Sequence, residues 1–130
     1  MAYELKPGDT KTSAKGFFYK EGRVLLVKPT GSKDRYDIPG GKIKFNESKE
    51  QGLYRECVEE VGLRIKKAEL LGEDATRDKV YFVITEWTGD IVLQKEEIEK
   101  YRWVEGEKVS QYYLTKTAYV GLGLFLKKNT

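Results

Sequence analysis

The stretch GGKIKFNESKEQGLYRECVEEVGL, residues 40–63, decides how the chain is read. Ser48 followed by Gln51 has the form of a capping box, hydroxyl and amide each satisfying an orphan backbone N–H at a helix start. Gly62 stands where a helix closes with a left-handed residue. A helix is therefore predicted from about Ser48 to Val61. Turned by the helical step, Leu53, Tyr54, Cys57, Val58 and Val61 share one arc, predicted as core, while Gly52, Arg55, Glu56, Glu59 and Glu60 form a polar face.

That polar face is electrostatically awkward. Glu56 lies three and four residues from Glu59 and Glu60, and like charges so spaced cost about 0.2–0.5 kcal/mol per pair. Glu59 and Glu60 also sit at the negative end of the helix dipole, which costs about 0.3–1 kcal/mol each when exposed. Arg55, four residues before Glu59, offsets only part of this. Two readings stay open: a solvated acidic face that tolerates the cost, or a ligand set. The pair Gly40-Gly41 after Pro39 favours the second, because glycine lets a backbone approach a ligand closely. Carboxylates beside such a loop suit Mg²⁺ or Mn²⁺, which take oxygen ligands and are usually shared with substrate phosphates. Bound metal would turn the repulsion into attraction.

Outward from this helix, strands alternate with loops and helices, with no repeat or low-complexity linker. TSAKGFFYK, the turn Glu21-Gly22 and RVLLVKP predict a β-hairpin. PTGSKDRYDIPGG is rich in turn formers and reads as a loop. RIKKAELLGE and DKVYFVITEW predict two more strands, YRWVEG a short one, and LTKTAYVGLGLFLKK a C-terminal helix ending in lysines. The expected fold is α/β, a mixed sheet flanked by helices, in a single domain over residues 1–130.

Composition limits the chemistry. The chain of 130 residues has no histidine and a single cysteine, Cys57, which excludes His-based triads, His-ligated zinc and an internal disulfide. Carboxylates, amines, hydroxyls or a hard metal must do the work. The 24 Lys and Arg nearly balance the 21 Asp and Glu, so no extended nucleic-acid surface is expected. MAYELKPGDTK lacks the apolar core of a signal peptide and no apolar run is long enough to cross a bilayer, which predicts a soluble cytoplasmic protein, monomer or homodimer.

Residues 41–63 closely resemble the signature of the Nudix hydrolases: Gly41, five residues, Glu47, seven residues, Arg55-Glu56, two residues, Glu59-Glu60, one residue, Gly62 and the apolar Leu63. Every fixed position matches, with Cys57 filling an apolar slot and Asn46 standing where many members carry glycine. The resemblance implies a Nudix-type αβα sandwich and hydrolysis of a nucleoside diphosphate linked to a further group, by water attacking a phosphorus held by divalent metal. By match to the motif, Glu59 and Glu60 would be the principal metal ligands. Glu56 would be a further ligand or the base, Arg55 would orient a carboxylate, Gly40 would offer a carbonyl to the metal, and Glu47 would assist at the helix start.

Family members often recruit a later acid, and from KEEIEKYRWV the choice is Glu97, beside Glu96 and Glu99. Lys28, Lys33, Arg35 and Lys42 lie near the glycine loop as candidates for substrate phosphates, with Gly41 offering close backbone approach. Tyr36, Tyr81, Tyr101 and Trp103 are candidates for stacking on a base, each with a core role as the alternative. Tyr81 falls 18 residues after Leu63, similar to members that cleave diadenosine polyphosphates, as is KYRWV. The spelling IPGGK is closer to members acting on nucleoside triphosphates, and the downstream prolines of ADP-ribose enzymes are absent. The leading expectation is a nucleoside triphosphate pyrophosphohydrolase acting on a small nucleotide. A diadenosine polyphosphate hydrolase, an enzyme acting on capped RNA ends, a nucleotide-sensing module and a purely structural acidic helix are the alternatives.

Overall fold

The computed structural model describes residues 6–128. Along the chain lie β1 (Asp9–Lys20), β2 (Arg23–Pro29), β3 (Gly40–Lys44), α1 (Lys49–Val61), β4 (Arg64–Asp74), β5 (Lys79–Thr88), β6 (Ile98–Glu105) and α2 (Lys116–Lys128), with short 3-10 turns at Ala75–Arg77 and Gly106–Gln111. Glu21 and Gly22, both at positive φ, turn β1 into β2 as the sequence predicts. The six strands run β4-β5-β1-β2-β6 with β3 paired to β1. Only β1 and β5 are parallel. The mixed sheet flanked by helices is as expected. β3 was not, because it begins inside a segment that reads as loop.

Successive Phe17 and Phe18 point to opposite faces of β1, and each founds a core layer. On one face Phe18, Leu25 and Ile84 pack with Leu53, Cys57 and Val61 of α1. On the other, Phe17, Leu26 and Tyr81 pack with Leu122 and Phe125 of α2, the rings of Phe17 and Phe125 stacking at 4.9 Å.

β1 and β2 touch as paired strands only beside their turn, at Tyr19↔Val24 and Lys20↔Arg23. Beyond it β2 leaves to pair with β6, while the first half of β1 takes β3 on one edge and β5 on the other. The hairpin therefore splays, and its open end becomes a cleft.

The helix wheel is corrected in one respect. Val58 is 44% exposed, whereas Glu60 is only 8% exposed and Gly52 is buried. The buried arc of α1 is rotated toward the carboxylates, because α1 packs on β3 with Gly41 against Glu56 and Gly52 against Ile43, and neither glycine has a side chain to hold the helix off. Among the described residues no helix is long and apolar enough to cross a membrane. The expectation that MAYEL carries no signal-type run falls on residues outside those described.

Candidate active site

Both ends of α1 form as the sequence specifies. Ser48 Oγ accepts from Gln51 N at 3.0 Å, Gln51 Oε1 accepts from Ser48 N at 2.8 Å, and Gly62 closes the helix at φ 74°. The helix is thereby fixed against β3, and the contact is close. A Cβ on Gly41 would stand 2.7 Å from the Glu56 carboxylate, and Gly40, at φ 133°, lies against the backbone of Ala14 and Lys15. A side chain at Gly41 would push α1 away, and one at Gly40 would collide with the backbone of β1.

Arg55 is the hub of the acidic wall. Its Nε and Nη2 grip Glu47 at 2.7 and 3.0 Å, Nη2 also donates to the Lys42 carbonyl at 3.0 Å, and Nη1 reaches Glu56 at 3.2 Å and Glu59 at 3.1 Å. Such a fork geometry is peculiar to guanidinium. Hydrogen bonding to Arg55 holds the Glu47 carboxyl below its ordinary range, and the same bond raises the Arg55 pKa.

Glu56 and Glu60 face the opposite pressure. Burial raises the Glu56 pKa, and Glu59 and Glu97 add repulsion that Arg55 does not cancel. Glu60 accepts a hydrogen bond from Gly40 N at 3.1 Å, yet burial pushes its pKa up to about 8. The cation that offsets part of this is Lys15, whose side chain is 12% exposed and whose Nζ lies 3.1 Å from Asp37 Oδ2 and 3.5 Å from the Gly40 carbonyl. Burial works against the Lys15 ammonium, but Asp37, Glu60 and Glu56 together outweigh it and raise its pKa.

The loop before β6 supplies the other acids. Thr30 ties it to the end of β2, with Thr30 N donating to the Glu97 carbonyl and Thr30 Oγ1 to that of Lys95, both at 2.9 Å. Gln94 N donates to the Glu60 carbonyl. Glu97 is thus carried to the mouth of the cleft, where Lys6 pairs with it at 3.7 Å.

These elements enclose a cleft of about 620 Å³. Gly40, Gly41, Lys42, Arg55, Glu56, Glu59, Glu60 and Glu97 all line it. Lys28, Arg35 and Tyr81 do not, and neither do Lys33, Tyr36, Tyr101 and Trp103. Lys28 is buried with its Nζ on Glu99 at 3.1 Å and the Ser32 carbonyl at 2.7 Å, an anchor for the neighbouring loops. Arg35 lies on the outer surface, donating to Tyr113 Oη at 2.8 Å with its guanidinium over that ring. Tyr81 is fully buried, its hydroxyl donating to the Thr117 carbonyl at 2.7 Å, and burial pushes its pKa up to about 12. The substrate roles expected of these three are corrected: packing and internal partners occupy each. Lys15, Asp37, Ser13 and Lys79 line the cleft without having been singled out. The one available signal was a lysine set among small and aromatic residues in SAKGFF.

The donors on the acidic wall are all oxygen. Among the described residues no three acidic side chains converge on one point as they stand, since Arg55 draws Glu56 and Glu59 while Gly40 N–H holds Glu60.

A family model described as the NUDIX domain matches residues 11–122. The chain belongs to the Nudix hydrolase family. This Nudix chain is 32% identical over 96 residues to an 8-oxo-dGTP diphosphatase of Buchnera aphidicola subsp. Schizaphis graminum, a match covering 68% of this chain and 72% of that relative. It is 50% identical over 50 residues to an RNA pyrophosphohydrolase of Teredinibacter turnerae, covering 38% of this chain. That match spans only 29% of the relative's length. The Nudix fold is shared with the solution structure of the E. coli ORF135 protein at a TM-score of 0.79 and 21% identity, over 92% of this chain and 90% of that one.

Proposed function

We propose that the protein is a divalent-metal-dependent hydrolase of nucleoside diphosphate-linked compounds, foremost a nucleoside triphosphate pyrophosphohydrolase that releases a nucleoside monophosphate. The observation that carries this reading is one cleft lined by both an all-oxygen acidic set and several lysines, groups that phosphoryl transfer needs for positioning and charge neutralisation. The naming of relatives as 8-oxo-dGTP diphosphatase and RNA pyrophosphohydrolase supports the reaction class.

Glu56, Glu59, Glu60 and the Gly40 carbonyl would hold Mg²⁺ or Mn²⁺, with Glu97 joining from the β6 side. Hard oxygen donors without nitrogen or sulfur suit these ions. When bound, the ion would neutralise phosphate charge and acidify water. Arg55 holds Glu47, Glu56 and Glu59 in register, and Glu60 is fixed by Gly40 N–H. Glu56, its pKa raised by burial, is the group to take the proton as a water oxygen bonds to phosphorus and the anhydride P–O bond breaks, with the phosphate chain leaving.

The RNA-end reading draws support from the 50% identity, confined to 50 residues. The diadenosine polyphosphate reading loses its main support, since Tyr81 is buried. Product chromatography tests the proposal, using the protein and Glu60→Gln with Mg²⁺ and a panel of canonical and oxidised triphosphates, diadenosine tetraphosphate and 5′-triphosphorylated RNA. Metal-dependent release of monophosphate, reduced at least a hundredfold in the variant, is expected. Cleavage of no panel member would leave a nucleotide-sensing module.

A further inference from the structure

Lysines line the cleft beside the acids of α1. β1 and β5 run parallel with Ser13 opposite Lys79 in register, and Lys79 Nζ lies 3.3 Å from Ser13 Oγ. No carboxylate among the described residues forms an ion pair with Lys79. The nearby Asp37 is engaged by Lys15 at 3.1 Å. Lys79 is half-buried, and burial first, then the charges of Lys42 and Lys15, press its pKa downward. Lys42 is held close by, its Nζ donating to the Lys11 carbonyl at 2.8 Å. Asp37 and Asp78 offset part of this pressure on Lys79 without forming an ion pair with it, and a partly desolvated ammonium without a paired carboxylate, beside two like charges, is relieved by an anion.

A second observation concerns what the cleft lacks. Among the described residues lining it, none is aromatic. Tyr36 and Tyr81 belong to the core beneath α2, and Tyr101 and Trp103 lie on β6 outside the cleft. Base recognition commonly uses an aromatic face for stacking, and this cleft presents cations and hydroxyls instead.

We infer that Lys79, with Ser13 and Lys42, forms an anion subsite for a phosphate group of the substrate remote from the bond that is cut, so that the cleft selects by the number and placement of phosphates and not by the base. The inference rests on the proposed hydrolase reading for its substrate, but the subsite itself is testable without turnover. An ammonium at Lys79 contributes by charge and hydrogen bonding to phosphate oxygens.

Calorimetric titration with tripolyphosphate in the presence of EDTA tests the binding. The unaltered protein should bind, Lys79→Met should bind at least about tenfold more weakly, and Lys79→Arg should retain most of the affinity. Melting temperatures of both variants verify that they are folded. Equal affinity in folded Lys79→Met, or no binding by the unaltered protein, overturns the subsite. With Mg²⁺, the four common ribonucleoside triphosphates should be cleaved with kcat/KM values within a few-fold of each other and better than their diphosphates, and Lys79→Met should raise KM for triphosphates with little change in kcat. A strong base preference that Lys79→Met leaves untouched, KM included, also overturns it. Turnover of nothing, with tripolyphosphate bound through Lys79, would sink the hydrolase reading and uphold the subsite.

Discussion

Glu60 is the residue at which cost and use meet. Its carboxyl is almost wholly buried, and its pKa stands near 8 against an ordinary 4.5. Below 4.5 the group is protonated in both folded and unfolded chains. Between 4.5 and 8 the unfolded chain gives up this proton while the folded one keeps it, so the fold loses stability as pH climbs through that window. The metal-free protein should therefore melt at progressively lower temperature from pH 4.5 to 8, and Glu60→Gln should flatten that fall. Equal slopes in the two proteins would show that Glu60 is not the titrating group. On the proposed reading, added Mn²⁺ should raise the melting temperature of the unaltered protein at pH 8 and do little for the variant, because the ion would bind the ionised carboxylate. Tyr81 illustrates the opposite outcome. Its spacing pointed outward to a substrate, but its ring fills the layer beneath α2. Tyr81→Phe should cost about 1 kcal/mol through the lost bond to the Thr117 carbonyl, read by denaturant titration, and leave KM unchanged.

At the scale of elements, α1 was legible because its signals are local. Ser48, Gln51 and Gly62 mark its ends by chemistry that needs no tertiary partner. Ser48→Ala should destabilise the protein by about 1 kcal/mol without altering metal affinity, measured by thermal unfolding and calorimetry. The orientation of α1 was not legible, since periodicity separates apolar from polar residues but does not reveal which neighbour is slim enough to admit a carboxylate. Gly41 of β3 and Gly52 of α1 do that, and so Glu60 is buried and Val58 is not. β3 itself was hidden because its pairing energy comes from β1, distant in sequence, while its own residues read as turn. Glu97 was a choice among adjacent acids, and the contacts of Thr30 with that loop, 65 residues away, carry it to the cleft.

At the scale of the whole molecule, the cleft exists because one hairpin opens. The acidic wall of the site was readable from a local motif, whereas the lysine set was not, because Lys15, Lys42 and Lys79 come from three strands that only the sheet brings together. The parallel pairing of β1 with β5 adds a consequence for biosynthesis. Ser13 meets Lys79 across 66 positions, so a ribosome delivers the first strand long before its central neighbour. During that interval the acids of α1 have been made, but the lysines that line the cleft with them are incomplete until Lys79 follows. Long-range closure of this kind is slow relative to local helix formation. The set of lysines that lines the cleft is therefore complete only once β5 has been made.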